Sequence, residues 1–339
     1  MVSIENLETE LKNGSLASLY LLYGEEQFLL ESNLNKIKKL FGECIKGINY
    51  ILIDNNNISE IISDIETPAF GYEKKLIIVR NTGLLKKEAK KKDTEISKIK
   101  EKLNNYLKEN IKIINQSVVL VFVEEEAEKQ ELLTTIEKNG IVCKFDFQKP
   151  VQIEKRVKTI CNAYKVEIDG GTLNYFIECC GTNMQDIINE IRKLIEYKGE
   201  GGKITKQDID ILTIKKLESV IFDLTDALGK KDIATSLEVL HNLIYSKEPI
   251  QKILITLYNH FKKIYFTKMA IKNNKDIVTS LKLKPNQIFL ANKYKTQAKS
   301  FNEKELRKIL QELIDLDYNY KNGLIDLQLG LESILCAYC

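Results

Sequence analysis

Only four prolines and no low-complexity tract occur among 339 residues, a scarcity that argues against an intrinsically disordered chain. No apolar run approaches the ~20 residues that a bilayer-spanning helix requires, and the opening segment MVSIENLETELKNG lacks the basic-then-apolar layout of a secretory signal. The expectation is a cytoplasmic protein with no membrane contact. Seven cysteines (Cys44, Cys143, Cys161, Cys179, Cys180, Cys336 and Cys339) are too irregularly placed for a disulfide framework and read as reduced thiols. Histidine is scarce, and His241 and His260 both sit on helically patterned stretches with no nucleophile motif near them, so triad chemistry has no support. The Cys336–Cys339 spacing lacks a second pair, and a zinc site is not expected. Charge of one sign is missing as well: a net charge of +3, with lysine spread everywhere, gives no whole-chain argument for nucleic acid.

What is present is a chain with 44% apolar and 29% charged residues, long enough for two or three domains of roughly 100 to 150 residues each. Residues 18–23, 48–53, 76–79, 118–123 and 141–147 are short apolar runs, and residues 28–41, 58–66, 96–107 and 129–138 carry the helical period between them. A lysine-rich, poorly patterned connection occupies residues 86–92. Continuous apolar strands separated by helices specify a parallel sheet covered on both faces, a doubly wound α/β module. Pro150 marks a change of class, after which the helical period persists and no strand pattern recurs. Residues 151–164, 172–180 and 184–197 read as three short helices, followed by the break GEGGK and a further short helix with Thr205 as N-cap. From residue 214 the helices lengthen, at 218–228, 232–245, 249–272, 286–299, 303–321 and 325–336, with Pro249 in a first turn where proline is tolerated.

An α/β module followed by a small helical domain is the layout of many nucleotide-driven motors, which makes the first strand-to-helix turn the place to look for phosphate chemistry. A P-loop reads GxxxxGK[ST], because backbone N–H groups cradle the phosphates, the lysine reaches the terminal oxygens and the hydroxyl holds Mg²⁺. Here the turn is Gly24-Glu25-Glu26-Gln27-Phe28, without the lysine or the hydroxyl. Two glutamates at a helix start satisfy its dipole themselves and repel a phosphate. Glu124, Glu125 and Glu126, at the end of VVLVFV, imitate the acidic strand end of such ATPases but have no P-loop to work with. No intrinsic catalytic site and no cofactor are expected, with an active ATPase as the rival reading.

The segment TPAFGYEKKLIIVRN, residues 67–81, offers a proline-marked loop with one large aromatic, Phe70, that runs into an apolar strand. Together with LYLLYGEEQFLLES (19–32), GTNMQDIINEIRKLIEY (181–197), IFDLTDALGKKDIATSLEVLHNLI (221–244) and DYNYKNG (317–323), it resembles the delta-subunit family of bacterial DNA polymerase III clamp loaders, with the segments in family order. The resemblance implies a divergent AAA+ fold: a RecA-like domain at residues 1–149, a small helical lid at 150–213 and a helical collar at 214–339, without ATP binding. It further implies a non-catalytic subunit of the polymerase holoenzyme that binds and opens the sliding clamp (the beta subunit). Its other partners would be gamma/tau and delta prime, met through the collar, and primer-template DNA within the complex.

In that family the loop after the second helix inserts an apolar pair into a pocket of the clamp, and Ala69 and Phe70 occupy its place here. Phe70 would be the anchor, Pro68 would stiffen the approach, and Tyr72 would add area. Ala69 departs from the family, whose members often carry a larger apolar residue at that point. The alternative for Phe70 is a plug folded back into the core. A separate reading, a DNA-binding adaptor, draws on Lys293, Tyr294, Lys295, Lys299, Tyr318 and Tyr320, which could meet phosphates and stack on a base. The alternative for that series is a solvated helix face.

Overall fold

The computed structural model describes residues 1–86 and 94–338. Of the lysine-rich connection read at residues 86–92, all but Lys86 lies outside the described residues, as does Cys339, one half of the CxxC spacing. The chain divides into two compact units, Met1–Phe147 and Gln148–Cys339.

The first unit runs α1 (Ile4–Lys12), β1 (Leu19–Tyr23), α2 (Gln27–Phe41), β2 (Tyr50–Ile53), α3 (Ile61–Glu66), β3 (Lys75–Arg80), α4 (Thr94–Glu109), α5 (Ile111–Ser117), β4 (Val118–Glu124), α6 (Glu131–Asn139) and β5 (Ile141–Lys144). All five strands are parallel, in the order β2-β3-β4-β1-β5. This order explains the sequence pattern: β1, β3 and β4 are interior strands covered on both faces and are apolar almost throughout, whereas β2 lies at an edge and leaves Leu52 exposed. Successive strand residues point to opposite faces. One set, Leu19, Leu21, Ile77, Val79, Leu120 and Phe122, packs with Ile61 and Ile65 of α3, Leu103 and Leu107 of α4, and Leu132 and Ile136 of α6. Helices α1 and α2 pack together and against β5 and β1.

Two helices were not legible as such. Helix α1 is a nine-residue element started by Ser3, whose Oγ accepts from the Asn6 N–H at 3.2 Å, and it buries Ile4, Leu7 and Leu11. Helix α5 turns directly into β4, and only Ile114 of it is buried, too little to set a period.

The second unit begins with α7 (Pro150–Ala163), β6 (Glu167–Ile168), α8 (Gly170–Cys180), α9 (Met184–Lys198), β7 (Lys203–Ile204) and α10 (Lys206–Leu212). The pair β6–β7 is a parallel two-stranded sheet, which corrects the expectation that no strand recurs after Pro150. Two residues per strand carry no periodicity. The GEGGK break has a defined task here: Gly199 and Gly201 adopt positive φ, and the Gly201 N–H donates to the Lys165 carbonyl at 2.8 Å, bringing the chain back beside β6. Thr205 is the N-cap of α10 within a capping box completed by Asp208.

Seven further helices follow: α11 (Leu217–Gly229), α12 (Ile233–Tyr245), α13 (Ile250–Lys272), α14 (Ile277–Ser280), α15 (Leu290–Ser300), α16 (Glu303–Lys321) and α17 (Leu327–Tyr338). They close around Ile221, Leu240, Ile253, Phe261, Leu306, Ile309 and Leu331. Pro249 is the N-cap of α13, one position earlier than the sequence suggested. The single helix expected at 286–299 is a short 3₁₀ turn, Pro285–Gln287, and then α15.

Candidate functional site

The loop between α3 and β3 is built from its own residues. Proline at position 68 has no N–H and cannot extend α3, so the chain turns extended at Thr67, the C-cap, with ψ 123°. The Tyr72 N–H then donates to the Ala69 carbonyl at 3.1 Å, closing a four-residue turn with Phe70 and Gly71 at its centre. Gly71 has φ 79°, the left-handed conformation that the third position of a type II turn demands. That turn carries Phe70 at its tip, 90% exposed. Phe70 is thus not folded back as a core plug. Pro68 is exposed beside it, and Ala69 and Tyr72 are half-buried. The Tyr72 hydroxyl donates to Glu43 Oε2 at 3.1 Å, tying the loop to the segment after α2. At the far end of the loop the Lys75 side chain is buried, and its Nζ donates to the Asp64 and Thr67 carbonyls at 2.9 and 2.6 Å.

The opposite end of the sheet, at the C-terminal ends of β1, β4 and β5, is where phosphate chemistry would sit. A cavity of about 700 Å³ opens there, lined by Glu25, Glu125, Glu126, Glu128 and Asp146 together with Lys144, and Lys86 pairs with Glu125 and Glu126 at 3.8 and 3.6 Å. Several backbone donors of the turn are already engaged: the Gly24 N–H donates to the Glu124 carbonyl, the Glu26 N–H to the Phe145 carbonyl and the Gln27 N–H to the Glu25 carbonyl. Gly24, at φ 135°, lies so close to Phe145 that a Cβ there would fall 2.2 Å from its carbonyl oxygen. The glycine serves close backbone packing rather than a phosphate. Glu124, the residue that imitates a metal-holding acid, is 1% exposed and accepts from the N–H and Oγ1 of Thr82 at 3.0 and 2.8 Å and from the Gly83 N–H at 3.4 Å. Burial raises its pKa against the pull of those donors. Its carboxylate braces the turn after β3.

The basic and aromatic series of the second unit does not come together as one face. Tyr294 is buried, its ring 4.9 Å from that of Phe222 and 5.2 Å from that of His260. Lys293 pairs with Glu178 at 3.0 Å. Lys295 and Lys299 are exposed on α15. On α16, Tyr318 is 67% exposed, while Tyr320 is half-buried and its hydroxyl accepts from Gln251 Nε2 at 2.7 Å.

A surface that sequence reading missed lies elsewhere in this unit. Lys231 Nζ donates to the Tyr338 carbonyl and His241 pairs with Glu332, so α12 and α17 run antiparallel, and the end of α12 lies beside the start of α17. Tyr245, the last residue of α12, and Leu324 and Leu329, on either side of the start of α17, are exposed by 90%, 72% and 63%. Tyr245 and Leu329 sit on helically patterned stretches and Leu324 in the connection before α17, so hydrophobic periodicity does not mark them as uncovered. Among the described residues no cluster of His, Cys, Asp or Glu is arranged to hold a metal ion, and no helix is long and apolar enough to cross a membrane.

Fold and site together define a parallel α/β module with an acidic cavity at the C-terminal ends of its strands, followed by a mostly helical part that holds one two-stranded sheet. Comparison with known proteins makes this specific. The family profile described as DNA polymerase III, delta subunit, matches residues 20–146, and that of the DNA polymerase III delta subunit, C-terminal domain, matches residues 218–338. The chain belongs to the DNA polymerase III delta-subunit family. It is similar to DNA polymerase III subunit delta of Bacillus subtilis, 28% identical with 96% of this chain and 94% of that protein covered. It is also similar to the probable DNA polymerase III subunit delta of Aquifex aeolicus, 29% identical with 88% and 85% covered. The solved structure of the Bacillus subtilis DNA clamp loader delta protein shares the fold, with a TM-score of 0.75 at 24% identity over 99% of both chains.

Proposed function

We propose that this chain is the gripping subunit of a clamp loader. It binds and opens the ring-shaped sliding clamp through the loop at residues 67–72, with no nucleotide hydrolysis of its own. The observation that carries the reading is Phe70: a large aromatic side chain left 90% in water, at the tip of a turn anchored at both flanks, is an unfilled hydrophobic anchor. The acidic cavity at the C-terminal ends of the strands supports a division of labour in which sister ATPase subunits supply the nucleotide-driven change, with gamma/tau and delta prime met through the collar. We assign residues 150–213 as the lid and 214–339 as the collar, the exposed end formed by Tyr245, Leu324 and Leu329 being the surface that meets those neighbours. Primer-template DNA then lies within the complex, with Tyr318, Lys295 and Lys299 the exposed members of the series able to approach it.

The test is a pull-down of the purified chain with the sliding clamp of the same organism, using Phe70→Ala as the control. Capture by the wild type and not by the folded variant is expected. Equal capture of both would remove the loop from the interface.

A further inference from the structure

We infer that Lys75 is a positioning residue for the Phe70 tip, its ammonium fastening the two ends of the loop together so that the aromatic is held in one direction. The inference rests on the clamp reading above and deepens it. Lys75 is the first residue of β3, followed by the apolar LIIV, and at 3% exposure it fills a position where an aliphatic residue would pack without cost. What the lysine provides instead is a pair of donors. In a continuing helix the Asp64 carbonyl would accept from the N–H four residues on, but residue 68 is proline and has none. The Lys75 Nζ takes that place at 2.9 Å and reaches the Thr67 carbonyl as well, at 2.6 Å.

A cation set against the last carbonyls of a helix also complements its dipole. The loop leaves α3 at Thr67 and enters β3 at Lys75, so this one side chain joins entrance to exit across the turn that carries Phe70. Burial lowers the lysine pKa, the mark of an ammonium held away from water at some cost. The same proline that stops the helix creates the acceptor that the lysine fills. Pro68 and Lys75 therefore act as a pair.

If the fastening is lost, the tip samples other directions, and apparent affinity falls by the fraction of time the binding direction is absent. Clamp affinity by surface plasmon resonance is to be measured for wild type, Phe70→Ala, Lys75→Met and the double variant, with thermal melts and amide exchange at residues 67–72. Lys75→Met keeps the length of the stem and removes the donors. Thr67 is exposed and Asp64 half-buried, so water can take up the freed carbonyls once the lysine is gone, and the melting temperature should move little. The expected result is faster exchange in the loop, affinity lowered by about fivefold, and no further loss when Lys75→Met is added to Phe70→Ala, because the lysine acts only through the aromatic. Unchanged exchange and affinity in folded Lys75→Met would overturn the inference while leaving the clamp reading intact. An unchanged affinity in Phe70→Ala would overturn both. Should Lys75→Met not fold, Lys75→Gln, with a shorter reach and a neutral head, must show the same loss or the inference fails.

Discussion

A single side chain sets the scale of the interaction proposed for the first unit. A phenylalanine filling a pocket is worth roughly 1.5 to 3 kcal/mol by buried area, and truncation of a hot-spot residue costs about 2 kcal/mol or more. Phe70→Ala should therefore weaken clamp binding by about thirtyfold. Because the ring is exposed, the melting temperature should stay within about a degree of wild type. His260 is the opposite case. Its ring is buried edge-on against Phe222 at 4.4 Å and bonded to Gln297 at 2.8 Å, and burial lowers its pKa from 6.5 to about 3. Between those values the unfolded chain binds a proton that the folded state refuses, so the stability tied to this group is complete above pH 6.5 and is lost as pH falls toward 3. His260→Gln should be less stable than wild type in urea at pH 7, and the gap should narrow at pH 5. A gap that does not change with pH would show that the imidazole is not the titrating group.

At the scale of the element, the turn after β1 decides between a motor and a passive subunit. The features that would bind phosphate are inverted: the Gly24 N–H is bonded to the Glu124 carbonyl at the end of β4 and the Glu26 N–H to the Phe145 carbonyl just after β5, and five carboxylates line the surrounding cavity. The isolated chain should give no heat of binding with millimolar ATP in calorimetry. Micromolar affinity lost on Glu124→Ala would revive the motor reading. The absence of GK[ST] was visible in the sequence because a motif is contiguous. The strands were visible too, since interior parallel strands are apolar on both faces. The bracing of Glu124 by Thr82 and the fastening of Lys75 to Asp64 were hidden, because each joins residues that only the fold brings together. The same limit applies to Lys293 and Tyr294: the helical period marks which face of α15 is apolar, but not that Glu178 waits opposite one residue and Phe222 opposite the other.

For the whole molecule, two of its exposed apolar features belong to different compact units: Phe70 to Met1–Phe147, and the residues Tyr245, Leu324 and Leu329 to Gln148–Cys339. Neither is required by the core of its own unit, and scattered apolar residues on a surface need no explanation, but a large aromatic left 90% exposed at the tip of a turn and large apolar residues exposed at one end of the α12–α17 pair do. If one grips the clamp and the other meets sister subunits, the two activities must be separable by substitution. Leu324→Asp combined with Leu329→Asp puts charge where apolar contact is expected, at positions exposed enough to leave the fold unharmed. This variant should fail to co-purify with the other loader subunits while binding the isolated clamp with wild-type affinity. Phe70→Ala should do the reverse, entering the loader complex normally and failing on the clamp. Gel filtration of the reconstituted loader and plasmon resonance on immobilised clamp, run on both variants, give four results. Only the crossed pattern is compatible with separate surfaces, and a folded Leu324→Asp/Leu329→Asp variant that still assembles would displace the proposed collar contact from this end of the helices.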